Sequence, residues 1–462
     1  MKNVRRYIPD GVDEFLKERK HIHTKWNKDL SSEIYELDYE GLVIACDTIL
    51  RIAGNRETDN NNFVEIASKD FHKILHHNYK LYLDYLIESK IIISDNQYIP
   101  GEKSIGYRIN EDFININLNS ININNKLFNK RTLAAIAKSD SKLKVTSSHS
   151  KNYLKSFKID YDNAIEYLNH CYFNGIEDHK HRVLNKYTRN VLQHKLLQIR
   201  DGQLWINRST SNGRINSNLS SLNGNYKKFI VGYDISMDIV SSQPLLINVL
   251  INQIKNIQVK EEVSSSSLLS LLSYECKTLS KSIGTLETKG VIEGLKNIKL
   301  PSKEEEMKWK SLCESGQLYE YFQSIIFDKT GNKLKRSDAK QIVITTMYST
   351  SIINNEWKKL FSATFPSIYK FLSDIKKMLK IKRSHRLLPL MMQSIESYIW
   401  CENILPELDR MKITYLFIHD SVIVKEEDLD RTELKIMETY FLFGVNAKID
   451  KTDIKTEKKI IL

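Results

Sequence analysis

The chain has 462 residues, with 69 Lys+Arg against 57 Asp+Glu for a formal charge of +12. With only 16 Gly and 7 Pro, and with 41% hydrophobic and 10% aromatic residues, it is neither collagen-like, linker-like nor wholly disordered. Its length suits about three domains, and the positive balance points to a polyanionic partner. No apolar leader opens the sequence, and no run of about 18 residues is free of charged or strongly polar side chains. The five cysteines form no C-x-x-C pair. These features predict a reducing, cytoplasmic setting with no membrane span, no disulfide framework and no zinc ribbon.

Residues 1–35 read as a basic, irregular arm. From 36 to 125 the pattern predicts three helices and then two strands. Ser68 is expected to cap a helix through Leu75, and Asn78 one running to Lys90. The two strands flank a turn containing Pro100 and Gly101, which resembles the wing of a winged-helix module and places Lys103 and Arg108 where a phosphate would lie. The same text also fits a small α+β packing domain. The Asn/Ile alternation near 109–127 suits a strand or a linker, and the stretch 126–204 regains helical spacing with many Tyr, Lys and Arg. A Ser-rich run at 261–275 reads as a surface insertion or a small helix, and 301–330 as helix. From 431 the pattern is helix to Gly444 and then strand.

Four segments carry candidate chemistry. In YLFIHDSVIVKEED (415–428), two β-rich runs flank His419-Asp420-Ser421, a hairpin with a carboxylate at its tip and no glycine in its turn. Such a carboxylate can hold a divalent cation, or it can simply close an Asx turn. In KKFIVGYDISMDIVSSQPLLINVLI (227–251), a strand ends near Asp238 and a helix opens past Ser241, Ser242 and Pro244. Asp234 and Asp238 share a face of that strand, and either suits a metal or a structural partner. In LKRSDAKQIVITTMYST (334–350), Arg336, Lys340, Ile344 and Tyr348 recur every fourth residue and form one helical stripe about 18 Å long. The stripe offers two cations to a triphosphate and a ring to a base, although an ordinary amphipathic helix has the same look. In STSNGRINSNLSSL (209–222), a Gly-Arg turn puts Arg214 where it could meet a nucleic-acid backbone.

Together, and in this order, the segments resemble family A DNA polymerases and the related single-subunit, phage-type RNA polymerases. The 415–428 hairpin is similar to their motif C, the Arg336/Lys340/Ile344/Tyr348 row to motif B, and the Asp238 turn to motif A, with Gln243 at the sugar-sensing position. Gly213-Arg214 resembles the segment upstream of motif A that touches primer–template, and the helix with Arg386 and Gln393 resembles the one before motif C. Ser315-Gly316 followed by Tyr319 resembles the helix before motif B. The likeness covers roughly residues 205–462. It departs at Ser349 in place of the usual Gly, at His-Asp-Ser in place of the His-Asp-Glu of the DNA enzymes, and at Gln243, where the DNA enzymes carry Glu and the RNA enzymes a small residue.

The resemblance implies an α+β, right-hand polymerase: an antiparallel palm sheet (205–250 and 385–462), helical fingers (251–384), a thumb-like region (126–204) and the winged-helix-like module (36–125). It implies a template-directed nucleotidyltransferase that extends a 3′-hydroxyl with two Mg2+ ions, for which Mn2+ can substitute. Asp238 and Asp420 would be the catalytic metal ligands, with Asp234 the alternative to Asp238. Lys340 would assist the leaving group; Arg336, Lys340, Ile344, Tyr348 and Gln243 would bind the nucleotide; Arg214, Arg386, Gln393 and His419 would meet primer–template. DNA synthesis without proofreading is the favoured expectation. RNA or primer synthesis is the alternative, and a non-catalytic DNA-binding replication protein the competing class. The Asn/Lys/Ile richness suggests an AT-rich mobile element or host.

Overall fold

A computed structural model describes residues 4–26, 32–56, 58–59, 61–140, 148–176, 183–209, 212–259, 293–331, 333–350, 355–378 and 387–460. Arg386 and the Ser-rich run at 261–275 lie outside the described residues. Helices and small antiparallel sheets make an α+β chain. No described helix is long and apolar enough to cross a membrane. The chain divides into two compact units: residues 1–143, 155–207 and 217–232, and residues 144–154, 208–216 and 233–462.

The first unit is organised around the helix Tyr39–Asn55, which Asp38 caps by accepting from the Glu40 and Gly41 amides. Gly41 lies so close to Tyr82 that an added Cβ would sit 2.4 Å from its ring, so the residue is glycine because the two helices touch there. Helices Ser68–Leu75 and Tyr79–Glu88 follow. Ser68 and Asn78 make no side-chain cap; instead His76 takes φ +60° and turns one helix into the next. A three-stranded antiparallel sheet has Gly106–Ile109 in the middle, flanked by Val64–Glu65 and Ile92–Ser94. In its turn, Lys103 pairs with Asp95 at 2.9 Å, and Arg108 pairs with Glu111 at 3.2 Å.

In the stretch expected to be a basic arm, either ordered or simply a tail, Arg5–Pro9 is a strand paired antiparallel with Leu118–Asn122. That pairing feeds a buried ion cluster. The Asp47 carboxylate accepts from Arg6 at 3.1 Å, the Tyr7 amide at 3.0 Å and the His194 imidazole at 2.9 Å. Burial pushes the Asp47 carboxyl up, but Arg6 and His194 outweigh it and hold the group at about 2.

The second unit contains one four-stranded antiparallel sheet, in the order Tyr415–Ile418, Ser421–Val424, Ile235–Ile239, Ile449–Asp453. The central strand Ile235–Ile239 runs into the helix Ser242–Val259 through Ser241, which takes φ +53°. Helices Lys303–Glu314, Leu318–Thr330, Arg336–Tyr348, Glu356–Thr364 and Pro366–Lys377 come next in the chain. Their core is aromatic: Trp309 packs edge-on against Phe365 at 5.2 Å, and Phe322 stacks on Phe361 at 5.4 Å. The helix Leu387–Tyr398 passes through a π-helical turn, Ile399–Ile404, into Leu405–Arg410 and delivers the chain to the hairpin.

Candidate active site

All of the site's described residues belong to the second unit. Its floor is the central strand, where Ile235, Met237 and Ile239 are buried and the period-2 alternation puts Ser236 and Asp238 together on the other face. Ser236 Oγ donates to the Asp238 carboxylate at 3.0 Å. Asp238 stands directly opposite Ser421, and Asp420 is the residue before Ser421. Opposed Cα atoms are about 5 Å apart and consecutive ones about 3.8 Å, so the two aspartate Cα atoms are at most about 9 Å apart. Both aspartates are half-buried.

Two strained residues flank this pair. His419 takes φ +55° in the hairpin turn, a place where glycine is cheap, and Ser241 takes φ +53° three residues after Asp238. Ser421 is buried and its hydroxyl donates to the Ile418 carbonyl at 3.1 Å, which closes the hairpin.

Asp234 is held elsewhere. Its amide donates to Val424 at 3.0 Å, and its carboxylate accepts from the Glu426 amide at 3.4 Å, at the far end of the hairpin. Four residues of strand put it about 13 Å along from Asp238.

The helix Arg336–Tyr348 is tied to the central strand's helix at one end, where Tyr348 Oη donates to the Gln243 carbonyl oxygen. Residues four apart share a helical face, so the tie carries Ile344, Lys340 and Arg336 in line above it. Ile344 is half-buried and Lys340 exposed, with no ion-pair partner among the described residues. Arg336 pairs with Glu320 and lies 5.0 Å above the Tyr319 ring. The Gly316 turn sets up Tyr319: its φ is +74°, and an added Cβ would meet Val240 at 2.9 Å.

The Gly-Arg turn is clipped to one face of the helix Leu387–Tyr398. Asn212 Nδ2 donates to Gln393 at 2.8 Å, Ser397 Oγ to the Gly213 carbonyl at 2.6 Å, and Arg214 to Glu396 at 2.8 Å. Arg214 and Gln393 thus both have protein partners, and His419 is half-buried beside Asp420.

Glu396 is the residue that sequence reasoning missed. It is 0% exposed, and its carboxylate also accepts from Gln243 Nε2 at 2.6 Å. Gln243 therefore has its amide nitrogen on Glu396 and its amide oxygen on Tyr348, which fixes the direction of the side chain. Burial pushes the Glu396 carboxyl up to about 7, against the pull of Arg214 and with a further push from Asp420. A lone glutamate in the apolar run LLPLMMQSIESYIW, three residues after Gln393, was the available signal.

The aspartates offer hard oxygen donors of the kind that Mg2+ takes. Strand register brings the two carboxylates to neighbouring positions, where a bound cation would relieve their mutual repulsion. The residues present therefore fit such ions.

No family model matches the chain, and no curated protein does. Among solved structures, one match is the POL domain of Pol1 from M. smegmatis in complex with DNA primer-template and dNTP. It is 10% identical, covers 96% of this chain and 98% of that one, and superposes with a TM-score of 0.30.

Proposed function

We propose that the chain is a template-directed nucleotidyltransferase, with DNA synthesis from a 3′-hydroxyl as its activity. The observation that carries this reading is the strand register that sets Asp238 beside the Asp420 hairpin tip, five residues before the glutamine to which the Arg336–Tyr348 helix is tied. Asp238 and Asp420 would hold two Mg2+ ions. When bound, these supply charge stabilisation for the attacking and leaving oxygens of an in-line displacement. Lys340, the cation of the row with no ion-pair partner among the described residues, would stand at the leaving pyrophosphate; Arg336, buttressed by Glu320 and Tyr319, would hold the triphosphate. Ile344 and Tyr348 would form the wall against the base. The fixed Gln243 amide would face the sugar, where a rigid side chain discriminates by shape.

Arg214, Gln393, His419 and Arg386 would line the primer–template path, the first two as parts of a braced turn more than as free contacts. The thumb-like assignment of 126–204 and the winged-helix-like assignment of 36–125 belong to this proposal. In the latter, the central position of Gly106–Ile109 in its sheet supports a wing, while the pairing of Lys103 and Arg108 with acidic neighbours argues against those two as its phosphate contacts.

RNA synthesis, including primer synthesis, is the second reading, and Ser421 favours it by resemblance. The bond from Ser421 to Ile418 gives that serine a structural reason of its own, so DNA synthesis stays first.

Primer extension with labelled dNTPs and, separately, NTPs tests the proposal. Incorporation should require a template and Mg2+ or Mn2+, and Asp420→Ala should abolish it while duplex binding persists. If neither pool is incorporated but duplex binding remains, the chain is a non-catalytic binding protein. Extension of single strands without a template would make it a tailing enzyme.

A further inference from the structure

We infer that the first unit holds a divalent transition-metal site, independent of the aspartate pair, formed by His72, His76 and His77 at the corner between helices Ser68–Leu75 and Tyr79–Glu88. One ligating nitrogen from each imidazole lies within 4.8 Å of the others. Ring centroids are separated by 5.0 Å for His72 and His76, 4.9 Å for His72 and His77, and 4.2 Å for His76 and His77. His72 Nε2 and His77 Nδ1 are 3.4 Å apart. Two nitrogens bonded to one tetrahedral Zn2+ at about 2.05 Å would be separated by about 3.3 Å, so this edge already has the span of a coordinated pair. His72 lies in the last turn of its helix and His76 follows that helix directly, their rings stacked 26° from parallel. The left-handed turn at His76 then brings His77 back over His72. His76 and His77 are exposed, so small side-chain rotations suffice to bring the third nitrogen in.

The surroundings favour a cation that binds neutral imidazole. The cluster sits at the C-terminal end of a helix, where the carbonyl ends favour positive charge. Arg131, the nearby cation, donates to the Ile74 carbonyl at 3.2 Å. Three nitrogens and no carboxylate suit Zn2+, Co2+, Ni2+ or Cu2+ and not Mg2+. The bound ion would have a position left for water and would pin the His76–His77 corner to the helix Ser68–Leu75. The site involves no residue of the polymerase reading, so either can fail alone.

The test titrates Zn2+ into the full chain after chelator treatment, by calorimetry, with excess Mg2+ present to occupy the carboxylates. A parallel titration with Co2+ reads ligand type from its visible absorption. The expected result is one equivalent bound through nitrogen, and a raised melting temperature. His77→Gln and His76→Gly, the latter chosen because glycine takes the φ +60°, ψ −147° backbone without strain, should each weaken binding at least about tenfold. They should leave the metal-free melting temperature within about a degree or two, the range of a mild surface change. No binding, or Zn2+ affinity unchanged in the double variant, overturns the inference; so does a Co2+ spectrum that reports oxygen ligands alone.

Discussion

Glu396→Gln is the most informative single change, because it tests the buried network without touching either aspartate. In the native state the Glu396 carboxyl is pushed up to about 7 from an ordinary 4.5. A carboxyl raised in this way contributes stability that is fully present below about pH 4.5 and is lost as pH rises through about 7, since the native state holds a proton that the unfolded chain has released. At about 1.4 kcal/mol per pH unit, the span is about 3 kcal/mol, and unfolding at about pH 5 and about pH 8 samples about 2–3 kcal/mol of it. Glutamine cannot titrate, so its stability curve lacks this component. The charged groups facing the site, Arg214 and Asp420, and the buried hydroxyls of Tyr348 and Tyr440, are present in both proteins. Glutamine has the charge of protonated Glu396, and any change it makes in the contact with Arg214 offsets the whole curve without changing its slope, because arginine stays protonated throughout. Equilibrium urea unfolding, followed by tryptophan fluorescence at both pH values, measures the difference between the proteins. That difference should move in the variant's favour by about 2–3 kcal/mol from pH 5 to pH 8. Parallel profiles, within about 0.5 kcal/mol, would refute a protonated native Glu396.

Lys340→Ala should lower single-turnover incorporation by about 100- to 1000-fold, the loss seen when one positioned transition-state donor is removed; a change confined to KM would leave Lys340 a binding residue only. Gln243→Gly opens the space that the fixed amide fills, and competition between dNTP and NTP pools should shift towards ribonucleotides. An unchanged ratio removes Gln243 from sugar sensing. Asp47→Ala strands the buried Arg6 charge in the first unit and should cost about 3–5 kcal/mol in urea unfolding; a loss under about 1 kcal/mol would mean that the cluster is hydrated in solution.

The sequence was legible where one segment's own spacing decides the outcome. Alternation along ISMDI gives the central strand, the two β-rich runs around His419-Asp420 give the hairpin, and the four-residue recurrence gives the Arg336–Tyr348 helix. It was not legible where remote segments meet. The opening residues read as an arm because the partner of Arg5–Pro9 lies more than a hundred residues on, at Leu118–Asn122. Lys103 and Arg108 read as phosphate contacts because acidic neighbours in the text, Asp95 and Glu111, do not by themselves show that the folded turn pairs them with these cations. Ser68 and Asn78 read as caps because composition does not show that His76 accepts a left-handed conformation to turn the corner.

The same division runs through the candidate site. Asp234 and Asp238 are equivalent in the text, since both lie on one face of one strand. Only cross-strand register distinguishes them: it sets Asp238 opposite Ser421 and ties Asp234 to Glu426 at the other end of the hairpin. Gln243 was open in another sense, because a glutamine supplies none of the charge that a glutamate there would. The structure puts a carboxylate against it from a different helix, and Glu396 is buried, raised towards neutrality and shared with Arg214. A neutral amide at the strand's helix, with the acid one layer back, holds Tyr348 and, on the proposed function, would leave less negative charge in front of a triphosphate. Restoring the front charge with Gln243→Glu would set two carboxylates against each other in a buried space. On this reasoning the glutamine is the partner that Glu396 requires.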